Sequence, residues 1–207
     1  MKMTEQTIHR RVTVDQIDDL RDAAHDIGGN LADRNEVLVI VASDFGLRVG
    51  ELNQLKRSHF RLDENSLLLP ADIQKDYPTQ QSPTSVTMNI DPYGIFGTKR
   101  LLKRYFNSDW WQDQEGEYVF PSRQSEQMTT ESIRNVIEKL AVEGDVSPRR
   151  SDGEPADPSE MHPHALRHSL ASYMLQDSDT RLIDVRNRLR HRSIATTERI
   201  YEHYQER

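Results

Sequence analysis

Cysteine is absent from the 207 residues, so the chain holds no disulfide and no cysteine-ligated metal. No apolar run approaches the roughly 18 residues that a membrane-spanning helix requires. The N-terminal stretch "MKMTEQTIHRR" also lacks the apolar core of a secretory signal. Hydrophobic residues make up 35% of the chain and recur periodically, which indicates a globular domain. We therefore expect a cytoplasmic protein with no membrane partner.

Lysine is scarce, because only six of the 27 basic residues are lysines, and acidic residues outnumber basic ones to give a net charge of −7. This balance argues mildly against a nucleic-acid partner, and it would suit a high-salt cytoplasm, where charges are strongly screened. The distribution of charge points the other way. Between positions 181 and 192 there are five arginines and one acidic residue. Such a local basic segment is a better indication of a nucleic-acid surface than the total charge.

The periodicity of apolar residues predicts a mostly α fold with a small antiparallel β-sheet, in the α+β class. Two strands are predicted over 66–71 and 85–90, joined by a long polar connection, and a loop is predicted over 145–160. We expect residues 1–11 to be an N-terminal extension and 12–207 to form one domain. The predicted helices cover 12–29, 33–46, 48–56, 94–106 and 129–144, with three more that start near Pro163, Asp179 and Ile194.

The stretch "HPHALRHSLASYML" (162–175) places three histidines and an arginine within seven positions. Pro163 suits the first turn of a helix, so His164 and Arg167 would lie one turn apart on the same face and could grip an anion. His164 and His168 are four residues apart, which also suits a metal ion. However, an arginine beside the site would repel a cation, and there is no H-E-x-x-H pattern. A plain solvated helix start is the third interpretation.

Two further strings decide between these interpretations. "DFGLRVGELNQL" (44–55) places Arg48 at a predicted helix start, and "LRHRSIATTERIYEHY" (189–204) supplies His191 and Tyr201. With these, the chain resembles the catalytic domain of the tyrosine recombinases (the phage integrase family). The strings that carry the resemblance are "GLRVGEL", "HALRHSLAS", "LRH" and "TTERIYEH", in family order and at near-family spacing. The resemblance runs from about Val12 to the C-terminus and implies that 12–207 is a catalytic domain without the N-terminal core-binding domain of the family.

The resemblance implies that a tyrosine oxygen attacks a DNA phosphate, giving a 3′-phosphotyrosyl link and a free 5′-hydroxyl. No metal, nucleotide or other cofactor is implied, because the phosphotyrosyl bond conserves the energy for rejoining. Guanidinium groups suit the charge that grows on the phosphate oxygens. The implied catalytic set has Arg48 and Arg167 on the phosphate, Lys75 as proton donor to the leaving oxygen, His164 and His191 as proton-transfer and hydrogen-bonding groups, and Tyr201 as nucleophile. Glu51 and His168 would support this set.

The chain departs from the family pattern at two positions. The family commonly has Leu-Gly-His where this chain has Leu189-Arg190-His191. Arginine in the left-handed backbone that glycine would adopt there costs about 1 kcal/mol. Either the turn differs, therefore, or Arg190 has a use such as a contact with the DNA backbone. The family step from this histidine to the tyrosine is nine residues, whereas Tyr201 lies ten residues on and Tyr204 thirteen.

The basic segment predicts contacts with DNA from Arg186, Arg188, Arg190 and Arg192. We expect double-stranded DNA as the partner, other protomers when assembled on DNA, a monomer without DNA, and weak, salt-sensitive binding. Three alternatives stay open. They are a type IB topoisomerase-like relaxing activity, a catalytically inactive DNA-binding protein with the recombinase fold, and a metal-dependent hydrolase that uses His162, His164 and His168.

Overall fold

The computed structural model describes residues 9–74, 84–191 and 197–198. It is mostly helical with small antiparallel sheets, which confirms the predicted fold class. Among the described residues, no helix is long and apolar enough to cross a membrane. The helices are α1 (Val14–Gly28), α2 (Ala32–Phe45), α3 (Val49–Leu52), α4 (Thr98–Phe106), α5 (Asp109–Gln112), α6 (Thr130–Glu143), α7 (Pro163–Met174) and α8 (Leu182–Leu189). The strands are β1 (Arg10–Arg11), β2 (Phe60–Arg61), β3 (Ser66–Leu69), β4 (Val86–Asn89) and β5 (Arg149–Arg150).

Helix α2 forms the centre of the domain. Every residue from Arg34 to Phe45 is buried, because α1, α4 and α7 all pack against this helix. A helix that is surrounded in this way must neutralise any charge it carries. Glu36 is paired with Arg21 and Arg104. Asp44, near the end of the helix, is paired with Arg188. The helix ends at Gly46, which adopts a left-handed backbone with φ 57°.

Gly46 also permits a close approach between elements that carry the predicted site. A β-carbon at this position would lie 2.7 Å from Cδ2 of Leu189 and 3.1 Å from Cδ2 of Leu170. The end of α2 is therefore pressed against α7 and the end of α8. Leu170 and Leu189 belong to a small second core, together with Ala171, Met174 and Val185.

The predicted hairpin is present, with Leu67 opposite Met88 and Leu69 opposite Val86 in the β3–β4 pair. Strand β2 adds a third strand to this sheet, and the sequence analysis did not predict it. The predicted third helix is short, since α3 has only four residues.

The N-terminal segment is part of the folded domain from Arg10 onwards. Strand β1 pairs with β5, with Arg10 opposite Arg150 and Arg11 opposite Arg149. Strand β1 lies inside the predicted N-terminal extension, and β5 lies inside the predicted 145–160 loop. The backbone N–H of Val12 then donates to Oγ of Ser169 at 2.8 Å. The chain before α1 is thus attached to α7, the helix of the "HALRH" motif.

Candidate active site

Arg48 lies directly before α3, where its backbone and its side chain both bind Glu51. The backbone N–H donates to Oε2 of Glu51 at 2.7 Å, and Nη1 donates to Oε1 at 3.0 Å. Glu51 is only 1% exposed. This double contact holds the guanidinium of Arg48 in one orientation.

Arg190 is the second partner of Glu51. Its backbone is left-handed, with φ 54°, and the N–H of the next residue, His191, donates to the carbonyl of Arg186. This is the helix end at which glycine is usually found, so the turn expected for the family is present with arginine in it. Nη2 of Arg190 donates to Oε2 of Glu51 at 2.6 Å, and the side chain is 7% exposed. The use of Arg190 in the described structure is this internal ion pair.

The second arginine of the motif, Arg167, is buried on α7. Its Nη1 and Nη2 groups donate to the carbonyl oxygens of Gly46 and Leu189. The guanidinium therefore lies between the end of α2 and the end of α8, beside the residues that lead to Arg48 and to His191. Three distant parts of the sequence meet at this group.

The histidines of α7 stack along the start of the helix. The ring centroids of His164 and His168 are 4.6 Å apart, and the rings are arranged edge to face. Nε2 of His168 lies 3.1 Å from Nδ1 of His9, which precedes β1. His168 is buried, as expected for a packed, hydrogen-bonded residue. His162 caps the helix, because its Nδ1 accepts the N–H of Ala165.

The charges around these rings lower their pKa values. Burial, followed by the charge of Arg167 and then that of Arg48, lowers the pKa of His191 to about 3. His164 is exposed at the surface, but the protein atoms around its ring displace water. This desolvation and the charge of Arg167 lower its pKa to about 4. Burial lowers the pKa of His168 to about 2. Each imidazole is therefore neutral near pH 7 and can donate or accept a hydrogen bond.

Glu51 shows the opposite balance of effects. Burial alone would raise its pKa, but the charges of Arg190 and Arg48 outweigh burial and lower it. Glu51 is thus a carboxylate at neutral pH. One negative charge is set among the guanidinium groups of Arg48, Arg190 and Arg167, so the site keeps an excess of positive charge. Such a site attracts an anion such as a phosphodiester.

The arginines predicted to contact DNA differ in their surroundings. Nη2 of Arg188 donates to Oδ1 of Asp44 at 2.9 Å, and its side chain is 10% exposed. Arg188 and Arg190 therefore bind carboxylates inside the protein. Arg186 is half-buried and its Nε donates to the carbonyl of His191 at 3.3 Å.

Several predicted residues lie outside the described residues. They are Lys75 in the connection between β3 and β4, Arg192, Tyr201 and the alternative nucleophile Tyr204. His191, which precedes this last segment, has its Nδ1 3.0 Å from Oγ1 of Thr197. The roles of Lys75, Arg192, Tyr201 and Tyr204 stay predictions.

The metal-dependent alternative finds no support in the geometry. Across residues 9–74, 84–191 and 197–198, the one set of three His, Asp or Glu ligand atoms lying within 4.8 Å of one another is that of His25, Asp33 and Glu36. Its members belong to α1 and α2, and two arginines already bind its Glu36. The three histidines at 162, 164 and 168 are not gathered in this way.

The structure adds residues to the site that the sequence analysis did not select. His9 reaches His168 from the N-terminal segment, and Arg134 of α6 lines a cavity beside Arg48 and His164. No motif marks either residue. Arg134 directly follows the core residue Ile133, and a single arginine on an exposed helix face is usually solvated.

Comparison with known proteins agrees with the family resemblance of the sequence motifs. The Phage integrase family model matches residues 10–207. The chain is 26% identical over 194 residues to the tyrosine recombinase XerC of Alcanivorax borkumensis, covering 94% of this chain and 55% of that protein. It is 24% identical over 197 residues to XerC of Salmonella typhi, again covering 94% and 55%. The chain thus spans about half the length of the curated relatives it matches.

Solved structures show the same fold. The crystal structure of XerA recombinase superposes with a TM-score of 0.67 at 21% identity, covering 95% of this chain and 66% of that one. XerH recombinase bound to its difH substrate, in a pre-cleavage complex, gives a TM-score of 0.67 at 18% identity, with coverage of 96% and 52%. The match of the family model over nearly the whole chain, with its motif arginines and histidines gathered at one place in the fold, shows that the chain belongs to the phage integrase family.

Proposed function

We propose that this chain cuts and rejoins DNA strands as a site-specific recombinase, through a covalent 3′-phosphotyrosyl intermediate. The observation that carries the proposal is the convergence of Arg48, Arg167, His164 and His191 from α3, α7 and the end of α8. Arg48 and His164 line one cavity. Arg167 donates to the carbonyl oxygens of Gly46 and Leu189, which lie two residues before Arg48 and two residues before His191. A single carboxylate, Glu51, is paired among them. This excess of positive charge suits a phosphodiester that gains negative charge as it reacts.

In the proposed reaction, the oxygen of Tyr201 attacks the phosphorus and the bond from phosphorus to the 5′-oxygen breaks. Arg48 and Arg167 bind the non-bridging oxygens. Lys75 gives its proton to the leaving 5′-oxygen, and a neutral imidazole of His164 or His191 takes the proton of the tyrosine. Rejoining reverses these steps with a 5′-hydroxyl as nucleophile. Without DNA the low pKa values keep both imidazoles neutral near pH 7. The negative charge of a bound phosphodiester would raise the pKa of a neighbouring imidazole and so help it to take the proton.

The proposed partner is double-stranded DNA, with other protomers joining on the DNA and a monomer in its absence. Among the similar structures, XerH recombinase is bound to its difH substrate and the Tn1549 transposon integrase is in complex with circular intermediate DNA. For this chain, Arg186 and Arg192 are the members of the basic segment proposed to contact the DNA backbone. Arg188 and Arg190 support the site from inside, through Asp44 and Glu51. A DNA-acting role also favours the cytoplasmic location that we propose.

The test is the trapping of the covalent intermediate on nicked suicide duplexes of several sequences, analysed on a denaturing gel with EDTA present. Wild type, Tyr201→Phe and Tyr204→Phe are compared. We expect a protein–DNA band that is lost only in Tyr201→Phe, because only the nucleophile is indispensable to the bond. A band lost only in Tyr204→Phe would keep the function and move the nucleophile.

The remaining outcomes separate the alternative functions. Absence of the band from every lane and every sequence, with DNA binding intact, would favour a non-catalytic DNA-binding protein. Relaxation of a supercoiled plasmid without products that join two sites would favour a topoisomerase-like activity. A band that disappears when EDTA is added would contradict the metal-independent reaction.

A further inference from the structure

A cavity adjoins the candidate active site on the side of α6. Its volume is 360 Å³, and its lining consists of Arg48, Val49, Arg134, His162, Pro163 and His164. We call this cavity the side pocket. It shares Arg48 and His164 with the proposed catalytic set, so it opens onto the place where the reacting phosphate would lie. Arg134 and His162 belong to the side pocket and to no motif of the family resemblance.

The charge of the side pocket is entirely of one sign. Two guanidinium groups and two imidazoles line it, and none of its lining residues is acidic. This is notable in a chain whose net charge is −7. Arg134 has one acidic neighbour, Glu131, at 3.4 Å, but that carboxylate is 72% exposed. An exposed pair of this kind contributes little and is easily exchanged for a better anionic partner.

His162 is arranged to donate a hydrogen bond. Its Nδ1 accepts the N–H of Ala165 at 3.2 Å, so in the neutral ring the proton resides on Nε2. Burial, together with the charges of Arg10 and Arg134, lowers the pKa of His162 and keeps the ring neutral at pH 7. No described residue accepts a hydrogen bond from Nε2. The pocket therefore offers an imidazole N–H beside a guanidinium, a pair of donors that suits a phosphate oxygen.

We propose that the side pocket binds a second phosphate of the DNA backbone, adjacent on the same strand to the phosphate that is cut, with Arg134 as its main ligand and His162 as a second donor. This inference rests on the proposed function and deepens it. Arg48 and His164 would lie between the two phosphates. The second contact fixes the register of the strand, so that the reacting phosphate is delivered to Arg48 and Arg167.

The salt dependence of binding to duplex DNA tests this proposal. The affinity of the full chain for two duplexes of unrelated sequence is measured by fluorescence anisotropy, between about 50 and 200 mM salt. Arg134→Gln is expected to reduce the slope of log K against log salt by about one, equally for both duplexes. Arg134→Lys keeps the charge and is expected to keep the slope.

Lys139→Gln is the matched control. Lys139 is another exposed cation of the same helix, five residues on and about 140° around it, outside the side pocket. It is expected to leave the slope at the wild-type value. An unchanged slope in Arg134→Gln would overturn the proposal. A loss confined to one of the two sequences would overturn it too, because that would show a contact with a base edge.

A neutral methylphosphonate in the suicide substrate locates the second phosphate. When it replaces the phosphate beside the cut, we expect a lower covalent yield in wild type and no further loss in Arg134→Gln. Additive losses would overturn the assignment. Failure of the proposed function gives a different result from failure of this inference. The salt slopes of wild type and Arg134→Gln would still differ by about one, but wild type would form no covalent bond with DNA. That outcome would support the phosphate contact and overturn its place beside a cut.

Discussion

Glu36 and Glu51 are both buried glutamates held by two arginines, yet only Glu51 lies in the candidate active site. Glu36 sits on α2 and is bound by Arg21 and Arg104, whose side chains reach it from the surface; that of Arg104 is 52% exposed. Glu51 is bound by Arg48, whose side chain is 22% exposed, and by Arg190, whose side chain is 7% exposed. A buried ion-pair network is therefore no sign of a site by itself. The arginines of Glu36 also pair with Asp18 and Asp33. Among the described residues, Arg48 and Arg190 pair with no second carboxylate, so an excess of positive charge remains around Glu51.

The largest effect expected from this comparison is the loss of activity in Glu51→Gln. The substitution removes the charge that orients Arg48, and a small displacement of a catalytic group costs about 100-fold in rate. We therefore expect the rate of covalent complex formation to fall by about 100-fold or more in single-turnover assays on the suicide substrate.

Glu36→Gln is the matched variant, because it removes the same charge from the other network. Breaking a buried ion pair costs about 3 kcal/mol, so we expect a lower free energy of unfolding in urea. The rate per folded molecule should stay near that of wild type. Equal losses of activity in the two variants would show that the networks do not differ in the way described.

The two regions should also differ in their response to acid. His168 and His191 have lowered pKa values in the fold, of about 2 and about 3. Below the ordinary histidine pKa of about 6.5 the unfolded chain binds protons that the folded site does not, so stability falls as the pH drops. Asp44 opposes this trend, because burial raises its pKa to about 6 and the folded state then takes up a proton. The histidines outnumber it, so the net stability should fall between pH 6.5 and 4.5.

Urea unfolding midpoints across this range measure the effect. His168→Gln removes one of the titrating rings of the site and should flatten the dependence. The Glu36 network responds at lower pH, because its arginines and His25 outweigh burial and lower the pKa of Glu36. Its contribution is present above about 4.5 and is lost only below that pH. A His168→Gln profile as steep as that of wild type would contradict the assignment of the acid response to the site.

The smallest effect is expected at Arg190. Arg190→Gly removes the left-handed strain of about 1 kcal/mol but also removes one of the two arginines on Glu51. These contributions oppose each other: loss of the buried pair costs about 3 kcal/mol and release of the strain returns about 1 kcal/mol. The free energy of unfolding should therefore fall by about 2 kcal/mol. Arg190→Ala loses the same ion pair and keeps the strain, so it should be about 1 kcal/mol less stable than Arg190→Gly. Equal stability of the two variants, measured by urea unfolding, would show that the turn stores no strain.

The sequence predicted the helical framework and the hairpin, because helical periodicity and strand alternation are local signals. The roles of the site residues stay predictions. The sequence predicted neither the partners of Arg188 and Arg190 nor the ladder of Arg10 and Arg11 with β5. Those contacts join segments that are far apart in the chain, and a two-residue strand carries no periodicity. Arg190 illustrates the limit. The sequence analysis left open whether the turn at Arg190 is the left-handed one, and the carboxylate that this arginine binds is 139 residues away.

The bridging role of Arg167 has a consequence for the order in which the domain matures. Its guanidinium joins carbonyl oxygens that lie 121 residues before it and 22 residues after it. Contacts over such long separations form late, once the intervening segments have collapsed. During synthesis, which proceeds from the N-terminus, Arg167 cannot make its contact with Leu189 until α8 has left the ribosome. A nascent or truncated chain therefore carries the motif residues without a formed site.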